Sequence, residues 1–260
     1  MFDASKFTVK KAKPLPVVFL IDVSGSMGEI IDETGVQETG ETFFDDGKLY
    51  RLARGGVSRI QLVNECCEKM ISSFAASEKL EAEIDVAIIT FGEKVIVHHG
   101  LMPASSITWK NMEPAGDTPL GQALQTAKAM IEDRNQVPGR AYRPAVILIS
   151  DGCPDPGWEQ PMKDFISNGR SAKCDRMAMG IGDDAVLSSV LQQFIEGTNR
   201  NVFTANDADK IQDFFKFVTM SVTTRSLSRN PNMIQTSPVS LDGKSAEGKQ
   251  DNADENESYF

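Results

Sequence analysis

Three short segments set the chemistry this chain can offer. Asp22-Val-Ser24-Gly-Ser26-Met-Gly28 alternates a carboxylate and two hydroxyls with glycines that let the backbone bend. Gly116-Asp117-Thr118-Pro119 adds a hydroxyl on a loop entering a helix, and Ser150-Asp151-Gly152 adds a second carboxylate. Asp22, Ser24, Ser26, Thr118 and Asp151 are all hard oxygen donors, without a thiolate or imidazole. That set suits Mg²⁺, which takes octahedral oxygen at ~2.0–2.1 Å, keeps several waters and is usually held by one or two carboxylates. Mn²⁺ or Ca²⁺ are the substitutes. Two carboxylates bring the bare ion near neutrality while hydroxyls add dipoles without charge, so an open position stays electrophilic enough for a partner's carboxylate. This is a device for binding rather than for turnover.

The chain between these residues must bring them together. Short apolar runs read as buried strands at Pro16 to Asp22, Ile84 to Phe91, Val95 to His98, Pro144 to Ser150, Asp175 to Ile181 and Asn201 to Thr204. Most are apolar on both faces, as in a sheet covered on both sides. Between them run helices with one apolar stripe. Ser58 caps a helix carrying Ile60, Val63, Cys67, Met70, Ile71 and Phe74. A second starts with Thr118 as N-cap and Pro119 at the first helical position. Others span Gly157 to Ser167, Ala185 to Ile195 and Asp207 to Thr223. Strands alternating with helices predict an α/β, three-layer Rossmann-like fold with a mostly parallel central sheet and helices on both faces. Only Gly92-Glu-Lys94 separates Val95 from the preceding strand, so that pair is an antiparallel hairpin at the sheet edge. In such sheets ligands bind at the carboxyl ends of the strands, where the three polar segments lie.

The stretch from Glu29 to Val57 breaks the rhythm. It is a long polar insertion with Asp32, Glu33, Glu38, Glu41, Asp45 and Asp46 against Lys48, Arg51 and Arg54, and loops this long are functional or disordered. The expected organisation is an N-terminal arm over 1–13, one domain over 14–225 and a disordered tail over 226–260.

Composition narrows the partners. The 260 residues carry 37 acidic and 27 basic side chains, a net charge of -10, which argues against a nucleic-acid backbone and against an anionic membrane surface. Cys66, Cys67, Cys153 and Cys174 show neither zinc-site spacing nor a disulfide framework, and no signal-peptide core or membrane-length apolar run is present. A cytoplasmic location is expected.

Asp22-x-Ser24-x-Ser26, followed by Thr118 and then Asp151-Gly152, resembles the complete metal-ion-dependent adhesion site (MIDAS) of von Willebrand factor A (VWA) domains. The resemblance covers roughly Pro14 to Thr224. It implies that Ser24 and Ser26 bind the ion directly, that Asp22 and Asp151 act mostly through water or hydrogen bonds, and that Thr118 does either according to state. Tyr142-Arg-Pro-Ala-Val-Ile-Leu-Ile-Ser-Asp-Gly-Cys-Pro-Asp155, Trp158 and Ala208-Asp-Lys-Ile-Gln-Asp-Phe-Phe-Lys-Phe-Val-Thr-Met-Ser-Val222 are similar to bacterial TerY-like proteins of tellurium-resistance and stress-response clusters. That likeness implies a non-enzymatic scaffold or sensor beside a Ser/Thr kinase and a PP2C-type phosphatase, in a tellurium-resistance, stress-response or phage-defence module. Typical members turn from the metal loop almost directly into the first helix. Here the acidic insertion intervenes, and a carboxylate from Glu29, Asp32, Glu33, Glu38 or Glu41 is expected either to gate the open metal position or simply to be solvated.

Other readings stand beside these. An Asp and two Ser at a strand end also cap turns. Asp117 is expected to orient its loop or cap the helix, while Asp155, Asp183 and Asp184 either rim the site or are solvated. His98 and His99, neighbours on an edge strand, should point to opposite faces and be structural. Ser26 lacks a nucleophile elbow, because position 24 is Ser where Gly is required. Cys153 has no nearby base in sequence, so a catalytic thiol is not expected. Trp109 and Trp158 read equally as interface anchors or core. A phosphatase or phosphotransferase of HAD type also puts an Asp after the first strand but needs D-x-D, and Ser24 holds the place of its general acid. An adaptor of an AAA ATPase complex would share the metal site.

Overall fold

The computed structural model describes residues 13–45, 47–78, 83–182 and 185–232. A six-stranded sheet forms the frame, in the order β10-β9-β8-β1-β6-β7. Its strands are β1 (Leu15–Asp22), β6 (Ile84–Phe91), β7 (Val95–Pro103), β8 (Ala145–Ser150), β9 (Asp175–Ile181) and β10 (Phe203–Ala205). All neighbours pair in parallel except β6 and β7, the expected edge hairpin. The helices are α1 (Arg59–Glu78), α2 (Leu120–Glu132), α3 (Glu159–Ser167), α4 (Ala185–Phe194) and α5 (Ala208–Leu227).

The period-two rule of strands divides the core into two layers. Val17, Phe19 and Ile21 of β1 enter one layer with α1 and α5, while Val18 and Leu20 enter the other with α2, α3 and α4. Both faces of β1 are dry, which accounts for its unbroken apolar run. The chain leaves β1 toward β6 on one side and later builds β8, β9 and β10 on the other. The carboxyl ends of β1 and β8 therefore flank the topological switch point.

Several boundaries differ from the sequence reading. The insertion is not a loop: β3 (Gln37–Asp45) and β4 (Lys48–Arg54) pair as an antiparallel ribbon on a stem of β2 (Ile30–Asp32) and β5 (Val57–Ser58). Ser58 does cap α1, in a capping box: its backbone N–H donates to Gln61 Oε1 at 2.9 Å and its Oγ accepts from the Gln61 N–H at 3.3 Å. Thr118 does not cap α2. Pro119 takes that place, and the helix starts at Leu120. Helix α5 continues to Leu227, and beyond it Asn232 Oδ1 accepts the Arg143 N–H at 2.8 Å. The arm over 1–12, the tail from 233 onward, Asp46, Asp183 and Asp184 lie outside the described residues.

The amino edge of the sheet is held by a buried charge cluster. Asp175, at the start of β9, takes Arg200 Nε at 2.7 Å and Nη2 at 2.8 Å on its two oxygens, and Arg225 Nη1 at 3.1 Å. Arg225 also donates to the carbonyls of Arg143 and Pro231, which ties the end of α5 to the entry of β8. Every charge there has a partner, the condition for burying it.

Candidate metal site

β1 ends at Asp22, which is fully buried. Its Oδ1 accepts the Ser24 N–H at 2.8 Å, and its Oδ2 accepts the Ser150 hydroxyl at 2.5 Å. The loop then folds back through a 3₁₀ turn over Gly25–Gly28. This sets Ser24 Oγ 3.1 Å from Ser26 Oγ, and Ser26 Oγ donates to Asp151 Oδ1 at 2.8 Å. Thr118 arrives from the other side: a Cβ placed on Gly152 would stand 3.7 Å from Thr118 Oγ1 and 3.8 Å from Ser26 Oγ. The five oxygen-bearing residues singled out in the sequence thus converge at the switch point.

Thr118 is positioned by its loop rather than by a helix cap. Ala115 N–H donates to Val23 O at 2.7 Å and Gly25 N–H to Gly116 O at 2.9 Å, tying this loop to the metal loop. Gly116 has φ +76°, and a Cβ there would stand 2.4 Å from Glu93 Cα, so only glycine fits. Asp155 exchanges two bonds with Thr118, its Oδ1 accepting the Thr118 N–H at 3.2 Å and its own N–H donating to Thr118 O at 2.9 Å. Asp117 is exposed.

The electrostatics fit a divalent cation. Burial, then the Asp151 charge beside it, pushes the Asp22 carboxyl up to about 7, against the opposing hydrogen bonds from Ser150 and Ser24. Asp151 is raised as well, mainly by burial, with Ser26 and Arg59 pulling the other way. The two carboxylates share one crevice: Asp22 is met by backbone and hydroxyl donors without a cation, while Asp151 has the Arg59 guanidinium at 2.7 Å. Among the described residues no cluster of three His, Cys, Asp or Glu side chains gathers. The donor set is two carboxylates and three hydroxyls, the composition of a hard-cation site that keeps water.

Arg59 is the site residue that sequence reasoning misses. Its Nη1 lies 2.7 Å from Asp151 Oδ2 and donates to the Ser26 carbonyl at 3.3 Å, while Nη2 lies 2.8 Å from Glu29 Oε2. Arg59 Nε is buried without a partner. Glu29 and Arg59 also close the base of the insertion through the Arg59 N–H to Glu29 O bond at 2.9 Å. A signal for Arg59 exists: the capping box starts α1 at position 59, and a first-turn residue of a helix leaving the carboxyl edge sits at the site.

The remaining candidates fall elsewhere. Asp32 Oδ1 accepts the Thr34 N–H at 2.9 Å in a local turn, and Glu33 and Glu41 are exposed. The side chain of Glu38 lies outside the description. His98 and His99 do not point to opposite faces. Val97 pairs with Ile89 and His99 with Ile88, so His98 is the extra residue of a bulge. Their rings stand 4.8 Å apart, both against Trp109, and His98 Nε2 donates to the Lys110 carbonyl at 2.8 Å. Trp109 packs on one core layer and Trp158 on the other. Cys66, Cys67 and Cys174 are buried, their thiols pushed up by burial, and Cys153 is exposed; none is in a disulfide. No described helix is long and apolar enough to cross a membrane.

Solved structures share this fold. The chain matches the PilB minor pilin from Streptococcus sanguinis with a TM-score of 0.50 and 14% identity, covering 83% of this chain and 62% of the pilin. The manganese-loaded TRAP protein of Plasmodium vivax matches with a TM-score of 0.50 and 17% identity, over 77% of this chain and 71% of that one. The ArnB paralog VWA2 from Sulfolobus acidocaldarius gives a TM-score of 0.50 and 14% identity over 81% and 46%. This chain thus spans less than two thirds of the pilin and of the ArnB paralog. No curated protein matches it by sequence. The model of the von Willebrand factor type A domain matches residues 17–154, more than half of the chain and the run from within β1 through the Asp151 loop, and the chain belongs to that family.

Proposed function

We propose that this protein binds a partner protein through a divalent cation, Mg²⁺ in the cell, held by Asp22, Ser24, Ser26, Thr118 and Asp151, and that it acts by binding rather than turnover. The observation that carries this reading is the convergence of these five residues around the buried Asp22, whose carboxyl lacks counter-charge. Ser24 and Ser26 would hold the ion directly, Asp22 and Asp151 would act mostly through water or hydrogen bonds, and Thr118 would bind directly or through water. When bound, the ion supplies a Lewis-acid position for a partner's carboxylate. The TRAP structure of the same fold holds manganese, which makes Mn²⁺ a suitable probe. The TerY-like resemblance extends the reading to a cytoplasmic scaffold or sensor in a tellurium-resistance, stress-response or phage-defence module, with a Ser/Thr kinase and a PP2C-type phosphatase as partners.

A phosphatase reading of the same fold needs a general acid two residues after Asp22, where Ser24 contributes a hydroxyl. Calorimetric titration with Mn²⁺ tests the proposal, together with incubation with p-nitrophenyl phosphate. One Mn²⁺ should bind, Ser24→Ala and Asp22→Ala should each weaken it about tenfold or more, and no phosphate should be released. Absence of Mn²⁺ binding, or metal-dependent phosphate release lost in Asp22→Ala, would overturn it.

A further inference from the structure

The β3–β4 ribbon carries large apolar side chains where a solvated insertion would carry none: Phe43 is 46% exposed, Phe44 74%, Leu49 56% and Leu52 42%. A two-stranded ribbon is marginal in water by itself, and a contiguous exposed apolar patch marks an interaction site. The ladder sorts these residues onto two faces. Phe43 pairs with Tyr50, their rings stacked 5.3 Å apart, and Leu52, two residues on, shares their face. Phe44 pairs with Leu49 on the opposite face.

The Phe43 face closes a groove of about 370 Å³ whose other wall is the metal loop, through Gly25, Gly28 and Glu29. The ribbon wall is aromatic and aliphatic at Phe43, Tyr50 and Leu52, with Arg51 between the last two. The other is bare backbone at Gly25 and Gly28, on either side of Ser26, and continues into Glu29 and Ile30. The volume lies near the low end of the range for ligand pockets, ~300–1,000 Å³, enough for a few side chains rather than the face of a folded domain.

We infer that this groove docks a short segment of a partner protein that presents a carboxylate to the metal position and an adjacent aromatic or branched aliphatic side chain to Phe43, Tyr50 and Leu52. The inference rests on the metal-dependent reading above. Charge complementarity selects the occupant: the cation position takes an anion, the ribbon wall takes an apolar group, and only a segment carrying both within a few residues fills both. A second copy of this chain is disfavoured, because its net charge of -10 repels its like.

The test is selection of a random dodecapeptide display library on the full-length, Mn²⁺-loaded protein, followed by anisotropy titrations with the synthetic peptides recovered. The peptides should carry Asp or Glu within two residues of an aromatic or branched aliphatic side chain and should be released by EDTA. The double change Phe43→Ser and Leu52→Ser should weaken them about tenfold or more, while Phe44→Ser with Leu49→Ser, on the outer face, should leave them unchanged. Melting curves establish that both variants are folded. EDTA-sensitive peptides indifferent to the Phe43 and Leu52 changes would overturn this inference and leave the metal reading standing. Peptides indifferent to EDTA, in a protein whose calorimetry shows no Mn²⁺ uptake, would overturn both. Failure to recover an EDTA-sensitive peptide, recovery of peptides without the apolar neighbour, light scattering that shows a dimer lost on the Phe43 and Leu52 changes, or tight peptide binding only after removal of residues 233–260 would each overturn the inference, the last two by assigning the groove to a second copy or to the chain's own tail.

Discussion

Arg59 grips the buried Asp151 carboxylate from outside, Nη1 to Oδ2 at 2.7 Å, while Ser26 holds the other oxygen from within at 2.8 Å. A guanidinium at that place does two opposing things. It neutralises part of the charge a divalent cation would neutralise, and it fixes the carboxylate's orientation. The fork is only 19% exposed, so its field on the crevice is weakly screened. Like-charge repulsion on the order of 1–2 kcal/mol outweighs the loss of one orienting contact, since Ser26 still aims Asp151. Arg59→Gln should therefore tighten Mn²⁺ about tenfold in calorimetry, and Arg59→Lys, which keeps the charge and loses the fork, should leave it near the parent value.

The Asp22 carboxyl gives metal-free protein a distinctive pH dependence. With its folded value near 7 and an ordinary value of 3.8 once unfolded, the folded state holds a proton in the window between that the unfolded chain has released. Unfolding then releases the proton, so stability falls as pH rises through the window, by up to ~1.4 kcal/mol per pH unit. The raised Asp151 carboxyl acts in the same direction. Melting temperatures in EDTA should decline from about pH 4 to about pH 7 and level off above it. Asp22→Asn should remove most of that slope, and saturating Mn²⁺ should remove it too, by stabilising the ionised carboxylates.

How much was legible in the sequence follows from which interactions are local. Val17 to Ile21 announce a doubly covered strand because each residue is buried by its own alternation, and Asp22, Ser24 and Ser26 announce the metal loop because three donors lie within five residues. Thr118 and Asp151 need only the rule that strand ends meet at one edge. The ribbon was hidden because Gln37 to Asp45 is polar but for the adjacent Phe43 and Phe44 and so shows no alternation, although Asp46-Gly47 is a hairpin-turn dipeptide. Arg59 was hidden because its partners sit 30 residues before it, at Glu29, and 92 after it, at Asp151. The capping role expected of Thr118 failed because its backbone is taken by Asp155 and its hydroxyl faces Gly152.

Gly116 couples fold to site. Its left-handed φ of +76° and the 2.4 Å approach a Cβ would make to Glu93 Cα leave no room for alanine. Gly116→Ala should cost about 2–4 kcal/mol of stability. Because Gly116 O accepts from Gly25 and Thr118 lies two residues on, Mn²⁺ affinity should fall with it. A variant that melts early yet binds Mn²⁺ like the parent would separate the two functions and remove Gly116 from the site.

The Asp175 cluster predicts the reverse separation. Arg225 is buried, its guanidinium lowered mainly by burial, and it spends its donors on Asp175 and on the carbonyls of Arg143 and Pro231. Removing it exposes those acceptors to an unfilled space and leaves Asp175 with Arg200 alone, still bidentate. The retained partner puts the cost toward the low end for a broken buried pair, about 3 kcal/mol, which for a domain of this size is roughly a 6–12 °C fall in melting temperature. The cluster stands at the amino edge of the sheet and the metal residues at the carboxyl edge, a full strand length away. Arg225→Ala should therefore melt early and still take up Mn²⁺ at the parent affinity below its transition, which calorimetry on the folded variant checks directly.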